Sequence, residues 1–246
     1  MYTKAVDLKE FYDTVQGRVV QRILRQHLRS LWPNVRGQRV ATLGYALPYV
    51  RPWIAEAERV VCLMPRQQGA VFWPPEERGL VTLCDEEALP LETNSIDRLL
   101  VVHGMSGYES LDAILRGAWR VLTGQGSLIL VVPNRTGLWA RFDHTPFGHG
   151  LPYSMGQLKK ILKDYMFVPE KSERALFLPP SSSRILLLSA PLWERLGSGM
   201  FNAFGGVNIV EASKQLYAGT LVGAAVPTEE RRRLITAPRP LSSSRS

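Results

Sequence analysis

The chain has 246 residues, 45% of them hydrophobic and 21% charged, which excludes a wholly disordered, collagen-like or disulfide-dense polypeptide. Its 30 basic and 22 acidic side chains leave a net charge of +8, which admits nucleic acid, anionic membrane surfaces and acidic substrates without choosing among them. Cys62 and Cys84 form no C-x-x-C pair and have no histidine cluster beside them, so the expectation is no metal site and two free thiols in a cytoplasmic protein. The N-terminus lacks an apolar signal-peptide core, and no apolar run approaches the ~20 residues that span a bilayer.

In chain order, the first predicted element is a helix over 8–31. Val15, Val19, Ile23, Leu24, Leu28 and Leu31 recur at helical spacing, while Arg18, Arg22, Arg25 and Arg29 share another face. Trp32-Pro33-Asn34 ends it. Strands are predicted over 39–43, 59–63, 79–84 and 98–103, with a helix over 49–57 opened by Pro48 or Pro52. A helix over 111–122 precedes Gly124-Gln125-Gly126, a turn expected to use positive φ, and a strand over 127–132. A helix over 154–165 with Ser154 as N-cap, a strand within 168–178, a helical or irregular insertion over 180–205 and a strand over 207–213 follow. Strands without polar alternation are buried on both faces, which predicts an α/β protein with a parallel sheet covered by helices. The organisation is a helical segment 1–36, a domain 37–215 and a basic tail 216–246 with no apolar period, expected to be disordered.

Three blocks carry a family resemblance. Cys84-Asp85-Glu86-Glu87-Ala88-Leu89-Pro90-Leu91 is followed by Asn94-Ser95-Ile96-Asp97. Ala118-Trp119-Arg120-Val121-Leu122 is followed by Gly124 and Gly126, and Tyr153-Ser154 by Leu158 and Leu162. In order and spacing they resemble class I S-adenosylmethionine-dependent methyltransferases of the broad small-molecule type. The resemblance implies a Rossmann-like class I methyltransferase fold: a seven-stranded, mostly parallel sheet with helices on both faces and an antiparallel last strand. It also implies S-adenosylmethionine as cofactor and methyl transfer to a small-molecule or protein acceptor. The cofactor pocket it implies is made by Gly44, Tyr45 and Ala46 as a floor, Met64 and Pro65 beside the ribose, Asp85 and the Glu86 backbone at the adenine, and His103. Asp85 has a second reading, as the cap of its own turn.

Two departures weaken that pocket. Where the family carries an acid and then G-x-G-x-G, this chain has Thr42-Leu43-Gly44-Tyr45-Ala46-Leu47-Pro48, and only Gly44 is kept. Met64 stands where the family places a carboxylate for the ribose hydroxyls, so a glutamate there is expected to restore an acceptor. These departures favour a competing class, a non-catalytic module of the same fold that binds a protein or nucleic-acid partner.

His103, at the end of the fourth predicted strand, is the candidate base or substrate-orienting group, or else a hydrogen-bonded loop histidine. Asn134 and Arg135, just after the fifth strand, are candidates for a polar or anionic acceptor. His144, His149 and Tyr153 lie in a Gly-rich, aromatic loop that reads as a substrate lid or a rigid connection. An N-P-P-Y-like motif is absent, which disfavours DNA base methylation. The arginine face of the first helix reads as solvated, phosphate-binding or acid-partner-binding.

Overall fold

Apolar side chains alternate between two cores along the central strands. In β1 (Arg39–Leu43), Val40 enters one core while Ala41 and Leu43 enter the other. β4 (Ile96–Val102) sends Leu100 and Val102 one way and Leu99 and Val101 the other. β5 (Leu122–Pro133) divides Ile129 and Val131 from Leu128, Leu130 and Val132 in the same manner. A period of two with apolar residues on both sides makes a sheet that must be covered twice.

The computed structural model describes residues 3–76, 79–105, 107–181 and 183–215, and the predicted basic tail 216–246 lies outside them. β2 (Arg59–Pro65), β3 (Val81–Cys84), β6 (Phe167–Ala175) and β7 (Val207–Lys214) complete a seven-stranded sheet of order β3-β2-β1-β4-β5-β7-β6. β1 to β5 run parallel, and β7 lies antiparallel between β5 and β6. This is the predicted architecture, including its antiparallel last strand. Helices α1 (Ala5–Asp13), α2 (Val15–Leu31) and α3 (Leu47–Ile54) supply one core. Helices α4 (Tyr108–Val121) and α5 (Met155–Asp164) supply the other. Ser154 caps α5 as predicted, accepting from the Gln157 N–H. Short α6 (Arg184–Leu188) and α7 (Ala190–Met200) fill the predicted insertion. Cys62 and Cys84, on neighbouring strands, are buried free thiols whose ionisation burial pushes upward. Asp97 is structural: its carboxylate accepts from the Arg39 backbone and guanidinium.

Three local expectations are corrected. The predicted helix over 8–31 is two helices, broken at Thr14, whose backbone is extended at φ −72° and ψ 163°. Its Oγ1 accepts the Gly17 N–H and donates to the Phe11 carbonyl, closing one helix while opening the next. Gly17 permits the tight corner, since a Cβ there would lie 2.1 Å from the Phe11 carbonyl oxygen. The glycine pair Gly124 and Gly126 does not make a positive-φ turn and lies inside β5. Residues 122–133 are extended throughout, the register against β4 shifts between Ile96 and Arg98, and Gly126 instead makes room for the Leu122 side chain 3.0 Å from where its Cβ would be.

The arginine face is not one patch. Pro52 lies inside α3 and has no N–H for the carbonyl of Pro48, four residues earlier. That carbonyl accepts instead from Gln21 Nε2 at 2.7 Å and Arg25 Nη2 at 2.6 Å, which pins α2 to α3. Arg29 holds Glu56 in a two-bond pair. Only Arg18 and Arg22 remain fully exposed, so a four-arginine surface for nucleic acid does not form. Arg25→Met leaves the Pro48 carbonyl with one donor and is expected to cost about 1–2 kcal/mol in urea melts. Arg18→Met on the same helix should change stability by less than about 0.5 kcal/mol.

Candidate functional site

β1 is flanked by β2 on one side and β4 on the other, so the order in which successive parallel strands are added reverses between β1 and β4. In open α/β sheets such a point opens a crevice beyond the carboxyl ends of the strands. Here the two strand ends touch backbone to backbone. Gly44, just past β1, has φ 84°, and a Cβ on it would lie 2.3 Å from the Val102 carbonyl oxygen and 2.4 Å from the Gly104 nitrogen. A Cβ on Gly104 would lie 2.9 Å from the Leu43 carbonyl oxygen. Both positions therefore require glycine. Ala46 needs no such freedom, with φ −100°, and Pro48 sits in the first turn of α3. The loop thus forms with one of the family's three glycines.

Between these glycines His103 adopts φ 51°. Its Nε2 is 2.8 Å from the Tyr12 hydroxyl, which is 2.6 Å from the Tyr49 hydroxyl. The Tyr12 ring stacks on Tyr45 at 5.9 Å, and Phe147 lies 4.8 Å from the imidazole. The Gln68 amide donates to the His103 carbonyl at 2.7 Å. Burial lowers the His103 pKa to about 3, so the ring is a neutral imidazole at physiological pH. Burial likewise raises Tyr12, Tyr45 and Tyr49, which stay protonated.

The sequence-predicted site residues divide. Gly44, Tyr45, Ala46, Met64, Pro65 and His103 gather at the ends of β1, β2 and β4, and Asp85 and Glu86 follow β3. Met64 and Ala46 are fully buried, and Tyr45 and Pro65 are buried as well. A glutamate at 64 would therefore be an unpaired carboxylate in the apolar core, which corrects the expectation that it restores an acceptor. Asp85 is exposed and its Oδ1 accepts the Glu87 N–H at 3.0 Å. One carboxylate oxygen caps its turn, and the other has no such duty.

Beyond β5, Asn134 is corrected from substrate contact to structural clasp. It is 1% exposed, its Nδ2 donates to the Ala203 and Gly205 carbonyls, and its Oδ1 accepts from Thr136. Tyr153 is also corrected: its ring is buried in the core beside α5, and its backbone bonds Pro133, Arg135 and Asn208. Arg135, His144 and His149 are exposed. His149 and His103 line a cavity of about 20 Å³ together with Phe147 and Met105. Among the described residues no cluster of His, Cys, Asp or Glu could hold a metal ion.

Sequence reasoning missed two residues. Tyr12 belongs to a helix predicted only as far as its apolar face, and its place above His103 depends on the break at Thr14. Gln68 lies three residues past β2, is 2% exposed, and leaves its Oε1 buried without a hydrogen-bond partner. No local pattern marks it. A buried orphan acceptor beside the end of β2 fits a ligand hydroxyl, and the spare Asp85 oxygen fits an amino group. On these two observations the residues present suit an adenosine group, with Gln68 offering the acceptor that Met64 lacks.

No family model matches the chain, and no curated protein matches it by sequence. Solved structures do match its fold. A S-adenosylmethionine-dependent methyltransferase of Thermotoga maritima is 16% identical with TM-score 0.57, covering 84% of this chain and 94% of its own. One from Archaeoglobus fulgidus is 17% identical with TM-score 0.54, covering 79% and 94%. One from Mesorhizobium loti is 15% identical with TM-score 0.54, covering 77% and 96%. The chain has the class I methyltransferase fold.

The desolvated, partly buried imidazole of His103 sets a pH dependence. Unfolded histidine takes a proton near pH 6.5, whereas His103 resists until about 3. The unfolded state therefore binds more protons between these values, and stability falls as pH drops below about 6.5. The His103 contribution to that slope approaches about 1.4 kcal/mol per pH unit. Urea melts between about pH 6.5 and 4.5 should show His103→Asn with a shallower decline than the parent.

Proposed function

We propose that this protein is a S-adenosylmethionine-dependent methyltransferase acting on a small-molecule or protein acceptor. The observation that carries this reading is the switch point: a left-handed Gly44 in the loop after β1, in a sheet of order β3-β2-β1-β4-β5-β7-β6. When bound, S-adenosylmethionine supplies an electrophilic methyl group on a sulfonium centre. Asp85 and the Glu86 backbone take the adenine, and Gln68 Oε1 takes a ribose hydroxyl. Gly44, Tyr45, Ala46, Met64 and Pro65 form the packed support beneath, and Tyr12 covers it from α1.

His103 does not remove a proton in this reading, because burial lowers its proton affinity and its Nε2 is held by Tyr12. It orients. The acceptor is then a group already nucleophilic at neutral pH, or one whose proton leaves to water. Arg135, His144 and His149 are exposed beyond β5 and stand on the acceptor side. No described helix is long and apolar enough to cross a membrane, and the reading places the protein in the cytoplasm.

A second reading, the non-catalytic module, is favoured by one observation: Met64 and Ala46 are completely buried. Calorimetric titration with S-adenosylmethionine and its demethylated product separates the two. The enzyme reading expects binding that Asp85→Ala weakens about 10–100-fold, with cooperative melting retained. Gln68→Leu should weaken it by about tenfold. No binding at millimolar cofactor by a cooperatively melting parent chain overturns the enzyme reading.

A further inference from the structure

The helix pair α6–α7 is built inside out. Ile185 and Leu188, three apart in α6, share one face of that helix, and Leu192 and Leu196, four apart in α7, share one face of the next. Both faces look outward: Ile185 is 80% exposed, Leu188 82%, Leu192 57% and Leu196 50%. Trp193, Phe201 and Phe204 are exposed as well. The inward positions of α7 are Ala190, Glu194 and Gly197. Glu194 is the polar residue of the pair that is turned in, where its carboxylate accepts the Leu176 and Phe177 N–H groups. A surface helix of a globular domain normally does the reverse.

Beside these faces runs an open groove of about 730 Å³ between α2 and α6–α7, floored by Val19, Ile23 and Leu187. Arg22, Arg184 and Arg195 stand on its rim, exposed and without an ion pair among the described residues. The one acid that lines it is Glu194, already committed to backbone amides. The occupant must therefore be apolar in its interior and anionic at its border. A second copy of this chain would set these same arginines near one another, in a protein of net charge +8. An anionic bilayer answers both demands: Leu, Ile, Trp and Phe enter at the acyl boundary and arginines meet lipid phosphates. The sequence carries a further basic run, Arg231-Arg232-Arg233.

We propose that α6–α7 is a membrane-docking surface that seats the protein on an anionic lipid bilayer. The helices lie in the headgroup layer and do not span it. This site is independent of the cofactor reading, since none of its residues belongs to the switch point.

The test is sedimentation of the full chain with vesicles of phosphatidylcholine alone and of phosphatidylcholine with about 30% phosphatidylglycerol. Binding to the anionic vesicles should exceed binding to the neutral ones roughly tenfold and fall as salt rises. Leu188→Asp with Leu192→Asp should abolish it, and Arg184→Glu with Arg195→Glu should reduce it roughly tenfold or more. Both pairs are exposed, so melting temperature should hold, and it serves as the control for folding. Equal binding to both vesicles, or to neither, overturns the proposal. So does a dimer that the leucine variants dissolve, or a soluble fatty acid that fills the groove as monomer while vesicles go unbound.

Discussion

The contact between Gly44 and Gly104 is the constraint from which the site is built. Two parallel strands end side by side, and the chain leaving each passes so close that neither can carry a Cβ. The approach puts His103 in a left-handed conformation directly beside the end of β1. Such a conformation is costly for a residue with a side chain, and it persists only where surrounding contacts over-determine it. Here the Gln68 amide holds its carbonyl and the Tyr12 hydroxyl holds its ring. The same enclosure that fixes the imidazole desolvates it and takes away its basicity. Rigidity and loss of proton affinity have one cause.

The N-terminal helices are fastened by a second backbone irregularity. Pro52 leaves the Pro48 carbonyl unpaired within α3, and α2 satisfies it with Gln21 and Arg25. An unmet helical carbonyl would be expensive in a half-buried place. The need to meet it orients α2, the Thr14 corner orients α1 from α2, and Tyr12 is carried to the strand ends. A cavity of about 200 Å³ lined by Tyr12, Tyr45, Arg25 and Trp73 lies along this path. Helices that precede the sheet in sequence thereby become the cover of its functional edge.

Charge is divided by use across the molecule. Arg29, Arg39, Arg51 and Arg116 are spent in ion pairs with Glu56, Asp97, Glu76 and Asp112. Exposed pairs of this kind add little stability, but they remove cations from the surface available to partners. Arg18 and Arg22 of α2 form no ion pair among the described residues, and Arg22 stands at the border of an apolar groove with Arg184 and Arg195. The +8 of the composition is therefore a sum over unlike roles, and only its unpaired part can meet an anionic partner.

Most of the architecture was legible in the sequence because it depends on local periodicity. Short apolar runs such as Leu99-Leu100-Val101-Val102, between turn signals, point to strands buried on two faces, and spacings such as Leu111, Ile114, Leu115 and Ala118 point to helices that cover them. The motif blocks fixed the order of these elements and the antiparallel end. Residues whose role is set by distant partners were not legible. Asn134 looked like a ligand contact because its side chain is polar, but it clasps carbonyls some 70 residues away, at Ala203 and Gly205. Gln68 and Tyr12 belong to the site only through hydrogen bonds to His103, 35 and 91 residues distant in sequence. The outward faces of α6 and α7 lie in the segment that the sequence leaves as a helical or irregular insertion over 180–205, since no local pattern says which side of it will be covered. Sequence by itself determined most of the strands and the helices that cover them, which follow from short-range sterics and burial, while their order came from the motif blocks. The tertiary structure alone decided which polar groups were left without partners and which apolar face was left uncovered, because both are sums over contacts that close only when the chain is folded.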